Sequence, residues 1–431
     1  MANARRVAAA VIVVLAMAAS APRAAAQAEP ASCDVPAQNL YVRDVMSDIY
    51  FWYREIPDVD PVAFASPVAY LEAIRYRPLD EAFSYIASRA ATDAFFSDSQ
   101  FVGFGFSSAI RPPGELRVTD VMAESPARDA NLTRGDRIVE INGRTVASLL
   151  NAGELDGAFG LPDPGVQADV VVVRGANRFR ARMFKRLVTI PTVSFTQVYS
   201  ANGGEVGYLF FRNFVTPSYE ALDAAFSDFR ARGVKELVLD LRYNGGGLVG
   251  VAQHLASLIG GTRTNGQVFA EYFHNDKNAS LNRVTRFEPK ANALGLERVL
   301  VITTGASASA SELVINALTP FIPVVVVGSR TYGKPVGQYG ISFCDKTLAP
   351  VSFTLRNANG EGDFFGGIPP ACAAPDDLDH QLGDPLESSL REALTVIGSG
   401  RCSLPQATAR TREVERAAPR ATGWQSLVNA H

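Results

Sequence analysis

The sequence predicts a multidomain protein of the α/β (α+β) class, in which a helical N-terminal segment precedes a β-rich domain and an α/β core. Three observations support this prediction. Residues 40–96 carry apolar side chains at helical spacing, and residues 101–187 contain short strands bounded by turn signals. Residues 188–402 alternate strands and helices, and the strands are nearly continuous runs of Val, Ile and Leu. With 431 residues, the chain is long enough for two domains and a large core.

The first 28 residues predict a secretory signal peptide. Arg5 and Arg6 precede an apolar run from Val7 to Ala19, and small residues at 24–28 form an A-x-A-like cleavage site. A membrane anchor is the weaker interpretation, because the run is shorter than the ~20 residues that a span requires. We therefore expect an exported protein, in a bacterial periplasm, with no stable membrane span.

Composition and charge exclude other classes of function. The chain is 47% hydrophobic and 20% charged, and its formal net charge is −3, so it offers no basic face to a nucleic acid. There is no C-x-x-C motif and there are only four histidines, so the sequence predicts no metal site and no cofactor.

Four cysteines predict disulfides, because an even number in an oxidising compartment favours pairing. Four cysteines permit three pairings. We expect Cys344 to pair with Cys372, bracketing a loop-rich segment, and Cys33 to pair with Cys402, joining the two ends of the chain.

Residues 29–100 are expected to form a helical region. The stretch "NLYVRDVMSDIYFWYREI" places Tyr41, Val45, Ile49 and Trp52 on one helix face. "SPVAYLEAI" and "LDEAFSYIASRA" are predicted as further short helices. We interpret the aromatic residues as core rather than as a ligand site.

Residues 101–187 are predicted to form a small β-rich unit. It contains the "FVGFGF" segment, the run "SPARDANLTRGDRIVEINGRTV" with a hairpin turn at Asn142-Gly143, and a closing hairpin of "ADVVVVRG" and "RFRARMFKRL". In this order, these features resemble a PDZ domain. A PDZ groove holds a peptide C-terminus by adding it as a strand to a sheet edge. The resemblance implies that this groove is lined by Val102, Gly103, Phe104, Gly105 and Phe106. The alternative is that these glycines only form a β-bulge.

The third unit, residues 188–402, carries the candidate chemistry. A buried strand, "KELVLDLR", leads into Gly245-Gly246-Gly247, and another, "RVLVITTG", leads into "ASASASE" and a helix. G-x-S-x-G and H-E-x-x-H are both absent, and no histidine stands beside a serine. A lysine can serve as the base if desolvation lowers its pKa. Lys334 follows a buried strand in a glycine-containing loop, with Gln338 four residues later to orient its amine. The remaining residues, 403–431, are predicted to be a disordered tail.

The segments S-A-S-A-S-E and G-K-x-x-x-Q resemble the C-terminal-processing (tail-specific) serine peptidases. This resemblance implies a ClpP/crotonase-like α/β protease core over 188–402, with Ser309 as the nucleophile, Lys334 as the base and Gln338 as the third catalytic residue. "LDLRYNGGG" is similar to the loop that supplies oxyanion-hole amides in this family, which implies a hole formed by Gly246, Gly247 and Ala310. We interpret Glu312 as an acid that complements the helix dipole, and Asp240 and Arg242 as a structural pair.

The function implied by the resemblance is that of an exported serine endopeptidase acting on protein or peptide substrates near accessible C-termini. The alternative is a catalytically silent PDZ-type adaptor on a protease scaffold. A third, minor option is a lipid-binding relative of the same core, for which the sequence has no dedicated pocket signal. The oligomeric state is left open.

Overall fold

The computed structural model describes residues 29–201 and 203–403. The predicted signal peptide, residues 1–28, and the predicted tail after Ser403 lie outside the described residues. Within the two described ranges, none of the helices combines the length and the apolar character needed to cross a bilayer.

The N-terminal region packs three helices against two short strands. Asp34 begins the first helix by accepting a hydrogen bond of 2.9 Å from the N–H of Ala37. Tyr41, Val45 and Ile49 are buried on one helix face, as predicted, but the prediction is wrong for Trp52, which lies beyond the end of the helix. The elements are α1 (Val35–Ile49), α2 (Pro67–Ile74), β1 (Tyr85–Ser88), α3 (Arg89–Asp98) and β2 (Gln100–Gly103).

The β-rich unit is an antiparallel sheet with two short helices. Asn142 and Gly143 both have positive φ, which matches the predicted hairpin turn. The elements are β3 (Phe106–Arg111), β4 (Glu115–Val121), α4 (Pro126–Asp129), β5 (Arg137–Ile141), β6 (Arg144–Thr145), α5 (Val146–Ala152), β7 (Gln167–Arg174) and β8 (Asn177–Phe184). The strands lie in the order β3-β4-β5-β7-β8, with β6 paired to β5, so β3 is at one edge of the sheet.

The remaining elements form the α/β core and the sheets around it. They are β9 (Arg186–Thr189), β10 (Val193–Ala201), β11 (Gly204–Phe211), α6 (Ser218–Ala231), β12 (Val234–Asp240), α7 (Val249–Gly260), β13 (Val268–His274), β14 (Arg283–Arg286), β15 (Val299–Thr303), α8 (Ala310–Leu318), β16 (Val324–Gly328), β17 (Val336–Gln338), β18 (Ile341–Phe343), β19 (Lys346–Ala349), β20 (Val351–Arg356), β21 (Cys372–Ala373) and α9 (Ser388–Ser399).

The central sheet runs in the order β10-β11-β12-β15-β16-β21. All neighbouring pairs are parallel except β10 and β11. Helices α6, α7 and α8 cover one face, against side chains such as Leu237 and Leu239, and α9 covers the other, against Val238. Burial on both faces explains why these strands are almost wholly apolar.

Strand pairing positions the candidate site. Because β12 and β15 are parallel neighbours, the segments that follow them leave the sheet at the same edge. These segments are the glycine loop 245–247 and the serine turn 305–309, which the structure therefore brings together.

The predicted helix over "LDEAFSYIASRA" is wrong over most of its length. Residues 81–84 form a bend, and Tyr85–Ser88 is a strand that pairs with β19; only the last residues of the segment begin α3. The carboxylate of Asp80 accepts hydrogen bonds from the amides of Phe83 and Ser84, which favours the bend over a helix. The strand partner lies far away in the sequence, so helix-like spacing could not reveal it.

The expected disulfide pairing is also wrong. The structure joins Cys33 to Cys344 and Cys372 to Cys402. Cys344 follows β18, whose Phe343 stacks on Tyr41 of α1 with ring centroids 5.2 Å apart, and this contact brings the two cysteines into reach. Helix α9 returns across the sheet, so that Cys402 lies beside β21, which contains Cys372.

Candidate active site

Ser309 lies in the turn between β15 and α8. Its backbone has φ 55° and ψ −112°, a region that non-glycine residues rarely adopt. The residue is partly exposed and lines a cavity of about 380 Å³. A strained serine that faces a cavity at a helix N-terminus has the setting expected of a nucleophile.

Glu312 joins the serine turn to the lysine loop. Its Oε2 accepts hydrogen bonds of 2.8 Å from the N–H groups of Ser309 and Lys334. Its Oε1 accepts from the Thr331 hydroxyl at 2.6 Å and from the Gly333 N–H at 2.7 Å. Burial raises the pKa of Glu312, and the four hydrogen bonds oppose that effect. Glu312 does stand in the first turn of α8, as interpreted from the sequence, and it also fixes two loops that the sequence could not connect.

Replacing Glu312 by glutamine should destabilise the protein and lower its activity. Both carboxylate oxygens accept a backbone N–H, so either orientation of the amide would place its NH₂ group against a buried donor. An unmet buried donor costs about 1–3 kcal/mol, so we expect a loss of roughly 2 kcal/mol in the free energy of unfolding, measured with urea.

The matched control is Glu220→Gln, an exposed acid in the first turn of α6. It loses only a dipole interaction, worth about 0.3–1 kcal/mol. If the two variants lost equal amounts of free energy of unfolding, the contribution of Glu312 would be explained by the helix dipole alone.

Lys334 lies across the same cavity from α8 and is partly enclosed. Its Nζ donates a hydrogen bond of 2.6 Å to Oε1 of Gln338 and lies 5.6 Å from the centroid of the Phe83 ring. Burial lowers the pKa of Lys334 to about 8, although the negative charges of Asp80 and Glu312 act in the opposite direction. An amine with this pKa is substantially neutral at mildly alkaline pH.

Gln338 has a single hydrogen-bonding orientation. Its Nε2 donates at 2.6 Å to the carbonyl oxygens of both Phe83 and Ala349, which leaves Oε1 to accept from Lys334. In this structure, Lys334 Nζ donates to Gln338, and none of the hydrogen bonds among the described residues joins it to Ser309. The three predicted catalytic side chains nevertheless line one cavity.

The glycine loop meets the serine turn, although Gly246 is placed differently from the expectation. Its N–H donates to Asn244 Oδ1 at 2.9 Å and is therefore already engaged. Gly247 lines the cavity, as does Ala310 at the start of α8. No hydrogen bond in the described part of the chain uses the N–H of either residue, so both amides are available as donors to a group bound in the cavity.

Position 246 requires a glycine for a steric reason. It has φ 105°, and a Cβ there would lie 2.8 Å from Ala310 N and 2.9 Å from Ser309 Cβ. The absence of a side chain lets the glycine loop pass directly beside the serine turn.

A buried charge cluster lies under the glycine loop. Arg242 pairs with Asp240 and with Glu387, each at 2.9 Å. All three side chains are removed from solvent. The Asp240–Arg242 pair interpreted from the sequence is therefore present, and it has a second acid as an additional partner.

The segment preceding the glycines also contacts the β-rich unit. Tyr243, which has φ 65°, donates to Asp376 and accepts a hydrogen bond of 2.7 Å from Arg134. Because Arg134 belongs to the β-rich unit, that unit directly contacts the chain that leads into the glycine loop.

The five residues predicted to line a PDZ groove occupy two strands and the connection between them. Val102 and Gly103 pair with β9 as part of β2, and Phe106 begins β3, which is at the sheet edge. Phe104 and Phe106 are buried. Gly105 has φ 78°, and a Cβ there would lie 2.3 Å from Cβ of Ser125. The glycine is therefore required at this position.

Sequence reasoning missed one wall of the cavity. It comes from the N-terminal region, and its members are Ala82, Phe83, Tyr85, Thr92 and Phe96. These residues lie more than two hundred positions before Ser309, and no local motif marks them. Only long-range pairing, such as that of β1 with β19, brings them to the site.

Comparisons with known proteins show which families this chain is similar to. Models of "Peptidase family S41" and "Peptidase S41 N-terminal domain" match residues 205–371 and 37–85, and a PDZ domain model matches 117–155. A carboxy-terminal-processing protease of Bartonella bacilliformis is 26% identical over 284 residues, 61% of this chain and 60% of the relative. A CtpA-like serine protease of Staphylococcus saprophyticus is 23% identical over 274 residues, 63% of this chain and 53% of the relative. The chain thus spans between half and two thirds of these curated relatives.

Solved structures give the same result. A crystal structure of an S41 protease from Bacteroides fragilis has a TM-score of 0.69 and 26% identity, and the match covers 83% of this chain and 96% of that one. A photosystem II D1 C-terminal processing protease has a TM-score of 0.52 and 20% identity, covering 84% of this chain and 97% of the other, and this likeness concerns the fold alone.

Proposed function

This chain belongs to peptidase family S41, and from that premise we propose that it is a serine endopeptidase that cleaves protein substrates near their C-termini. The observation that carries the proposal is one cavity that holds Ser309, Lys334 and Gln338, with burial lowering the pKa of the lysine to about 8.

The reaction follows from these positions. Neutral Lys334 takes the proton of the Ser309 hydroxyl as the oxygen attacks the scissile carbonyl. The N–H groups of Gly247 and Ala310 stabilise the tetrahedral oxyanion. The protonated lysine then gives its proton to the leaving amine, and a water molecule activated by the same lysine hydrolyses the acyl-enzyme. Gln338 keeps the amine oriented through its 2.6 Å hydrogen bond.

The substrate enters as an extended peptide. The cavity around Ser309 is lined mainly by apolar side chains, which favours an apolar residue next to the cleaved bond; they include Phe96, Leu248, Leu313, Phe353 and Leu355. PDZ domains add a peptide C-terminus as a strand to a sheet edge, so the match of a PDZ domain model to residues 117–155 supports assigning recognition of the substrate C-terminus to the β-rich unit.

We further propose that the units are residues 29–100, 101–187 and 188–402, and that residues 1–28 direct export. Both disulfides support an oxidising compartment such as the periplasm.

Activity should fall as the pH drops through the pKa of the lysine. Only neutral Lys334 can accept the serine proton, and its pKa is about 8. Protonation on acidification therefore removes the base, and kcat/KM on an unfolded protein should fall about tenfold from pH 9 to pH 7 and about tenfold more by pH 6. A rate that is flat down to pH 5 would exclude a lysine base.

The direct test is to incubate the protein with candidate exported proteins and to identify the new termini by mass spectrometry. A serine-directed phosphonate should label Ser309 in parallel. A silent adaptor would bind the same proteins, leave them intact and take up no label, and that outcome would overturn the proposal.

A further inference from the structure

The N-terminal region contains a buried carboxylate that takes no part in the proton transfers described above. Asp80, in the segment between α2 and β1, is fully buried. Its Oδ2 accepts hydrogen bonds from the hydroxyls of Tyr50, at 2.9 Å, and Ser84, at 2.6 Å. Its Oδ1 accepts from the N–H groups of Phe83, at 2.8 Å, and Ser84, at 2.9 Å. These four bonds fix the bend at residues 81–84.

The same bend contacts the catalytic pair. The carbonyl oxygen of Phe83 accepts a hydrogen bond of 2.6 Å from Nε2 of Gln338, and the Phe83 ring lies 5.6 Å from Nζ of Lys334. Gln338 in turn accepts from Lys334 at 2.6 Å. A continuous series of short contacts therefore leads from the Asp80 carboxylate to the lysine amine.

An electrostatic interaction also links Asp80 and Lys334. None of the described side chains forms an ion pair with Asp80, and a buried carboxylate without a cationic partner is costly. Its negative charge raises the pKa of Lys334, as does that of Glu312, and both act against the effect of burial.

Other titratable or charged groups also contact the bend or the carboxylate: Arg75, Tyr50, and Tyr332, whose ring centroid lies 5.9 Å from that of Phe83. Arg75 donates to the carbonyl of Ser84 at 3.1 Å, and its own ion pair is with Glu72. Tyr50 donates to Asp80 and remains neutral, because burial raises the pKa of its hydroxyl well above the ordinary value. The charge that reaches the lysine from this side is therefore that of Asp80.

We propose that Asp80 is a positioning residue for Lys334: it holds the Phe83 carbonyl that orients Gln338, and it supplies the charge that stabilises the protonated lysine. This inference rests on the proposed function, because it concerns the base of that reaction. On this proposal, the N-terminal region helps to position the catalytic base.

The test is the pH dependence of kcat/KM for Asp80→Asn. The substitution keeps the size of the side chain and removes its charge, so the acid limb of the profile should move to lower pH, by about half a unit or more. The rate on the alkaline plateau should also fall severalfold, because the amide cannot accept all four hydrogen bonds. A purely structural role would lower the plateau and leave the limb in place.

Tyr50→Phe is the matched control. It removes one hydrogen bond to Asp80 and keeps the charge, so its acid limb should coincide with that of the wild type. An Asp80→Asn limb that also coincides with the wild type would overturn the inference.

Should Asp80→Asn fail to fold, as judged by circular dichroism, Asp80→Glu tests the positioning part of the inference. This variant keeps the charge and displaces the carboxylate, so we expect an unshifted limb and a plateau lowered severalfold, with phosphonate labelling of Ser309 retained. A wild-type plateau in this variant would overturn the inference. Failure of the proposed function is distinguishable from either result, because it would appear as a wild-type profile without an acid limb and as full activity in Lys334→Ala.

Discussion

Replacing Ser309 by alanine should abolish cleavage of an unfolded protein, with kcat/KM falling on the order of 10⁴-fold or more. In the proposed mechanism the hydroxyl oxygen forms the acyl-enzyme, so its removal should leave no nucleophile at this position. Alanine also has a Cβ, so the strain at φ 55° is retained and the fold should persist. Initial rates at pH 9, with thermal melting to verify folding, measure the effect.

The neighbouring serines are the matched controls. The Ser307 hydroxyl donates at 2.8 Å to the carbonyl of Leu241, and that of Ser311 donates at 2.9 Å to the carbonyl of Asn244. Both are fully buried and hold the turn against the glycine loop. Ser307→Ala and Ser311→Ala should lower stability and leave kcat/KM within about tenfold of the wild type, since each loses only ordinary hydrogen bonds. Ser311 loses one, and Ser307 loses two, because its hydroxyl also accepts a hydrogen bond of 3.0 Å from the Thr304 N–H. Cleavage that survives in Ser309→Ala but disappears in Ser311→Ala would show that Ser309 is not the nucleophile.

Local signals predicted the parts of the fold that local interactions determine. Asn142 and Gly143 have the positive φ that the predicted hairpin turn requires, and the apolar strands of the core are those of the central sheet. The errors concern contacts between distant segments. The pairing of β1 with β19 overrides a helix-like pattern, and the packing of α1 against Phe343 decides which cysteine meets Cys33.

The candidate site likewise has parts that the sequence predicted and parts that it could not predict. The motifs that follow β12, β15 and β16 predicted Ser309, Lys334 and the glycine loop as site residues, and the structure brings these segments together because neighbouring parallel strands end at one edge. The role of Asn244 could not be predicted from a motif, because its side chain engages the N–H of Gly246 only in the folded loop. That contact removes one of the three amides expected to form the oxyanion hole.

Three regions of the chain meet around the proposed catalytic residues. The core supplies Ser309 and Lys334, the N-terminal region supplies Phe83, and the β-rich unit reaches the glycine loop through Arg134 and Tyr243. A change in the position of either flanking region would therefore move a group that contacts the site. This arrangement explains why the flanking regions cannot be treated as inert attachments to a complete catalytic core.

Replacing Lys334 by alanine should reduce kcat/KM about as much as the loss of Ser309, because a nucleophile and its base act as one unit and their losses are not additive. The double variant Ser309→Ala/Lys334→Ala should therefore be no slower than either single variant. The backbone N–H of residue 334 still donates to Glu312, so the loop should keep its position. Rates at pH 9, where wild-type Lys334 is largely neutral, give the cleanest comparison.

Two further substitutions test whether Lys334 is needed as a base or only as a positive charge. Lys334→Arg keeps a cation in the cavity but cannot lose its proton near neutral pH, so it should be as inactive as Lys334→Ala. Lys346→Ala removes a partly exposed lysine paired with Asp345 and should retain nearly full activity. Activity in Lys334→Arg would mean that a positive charge suffices and that another group takes the serine proton. Because Lys334 is the cavity-lining amine whose pKa burial lowers to about 8, we expect both Arg and Ala at this position to be inactive.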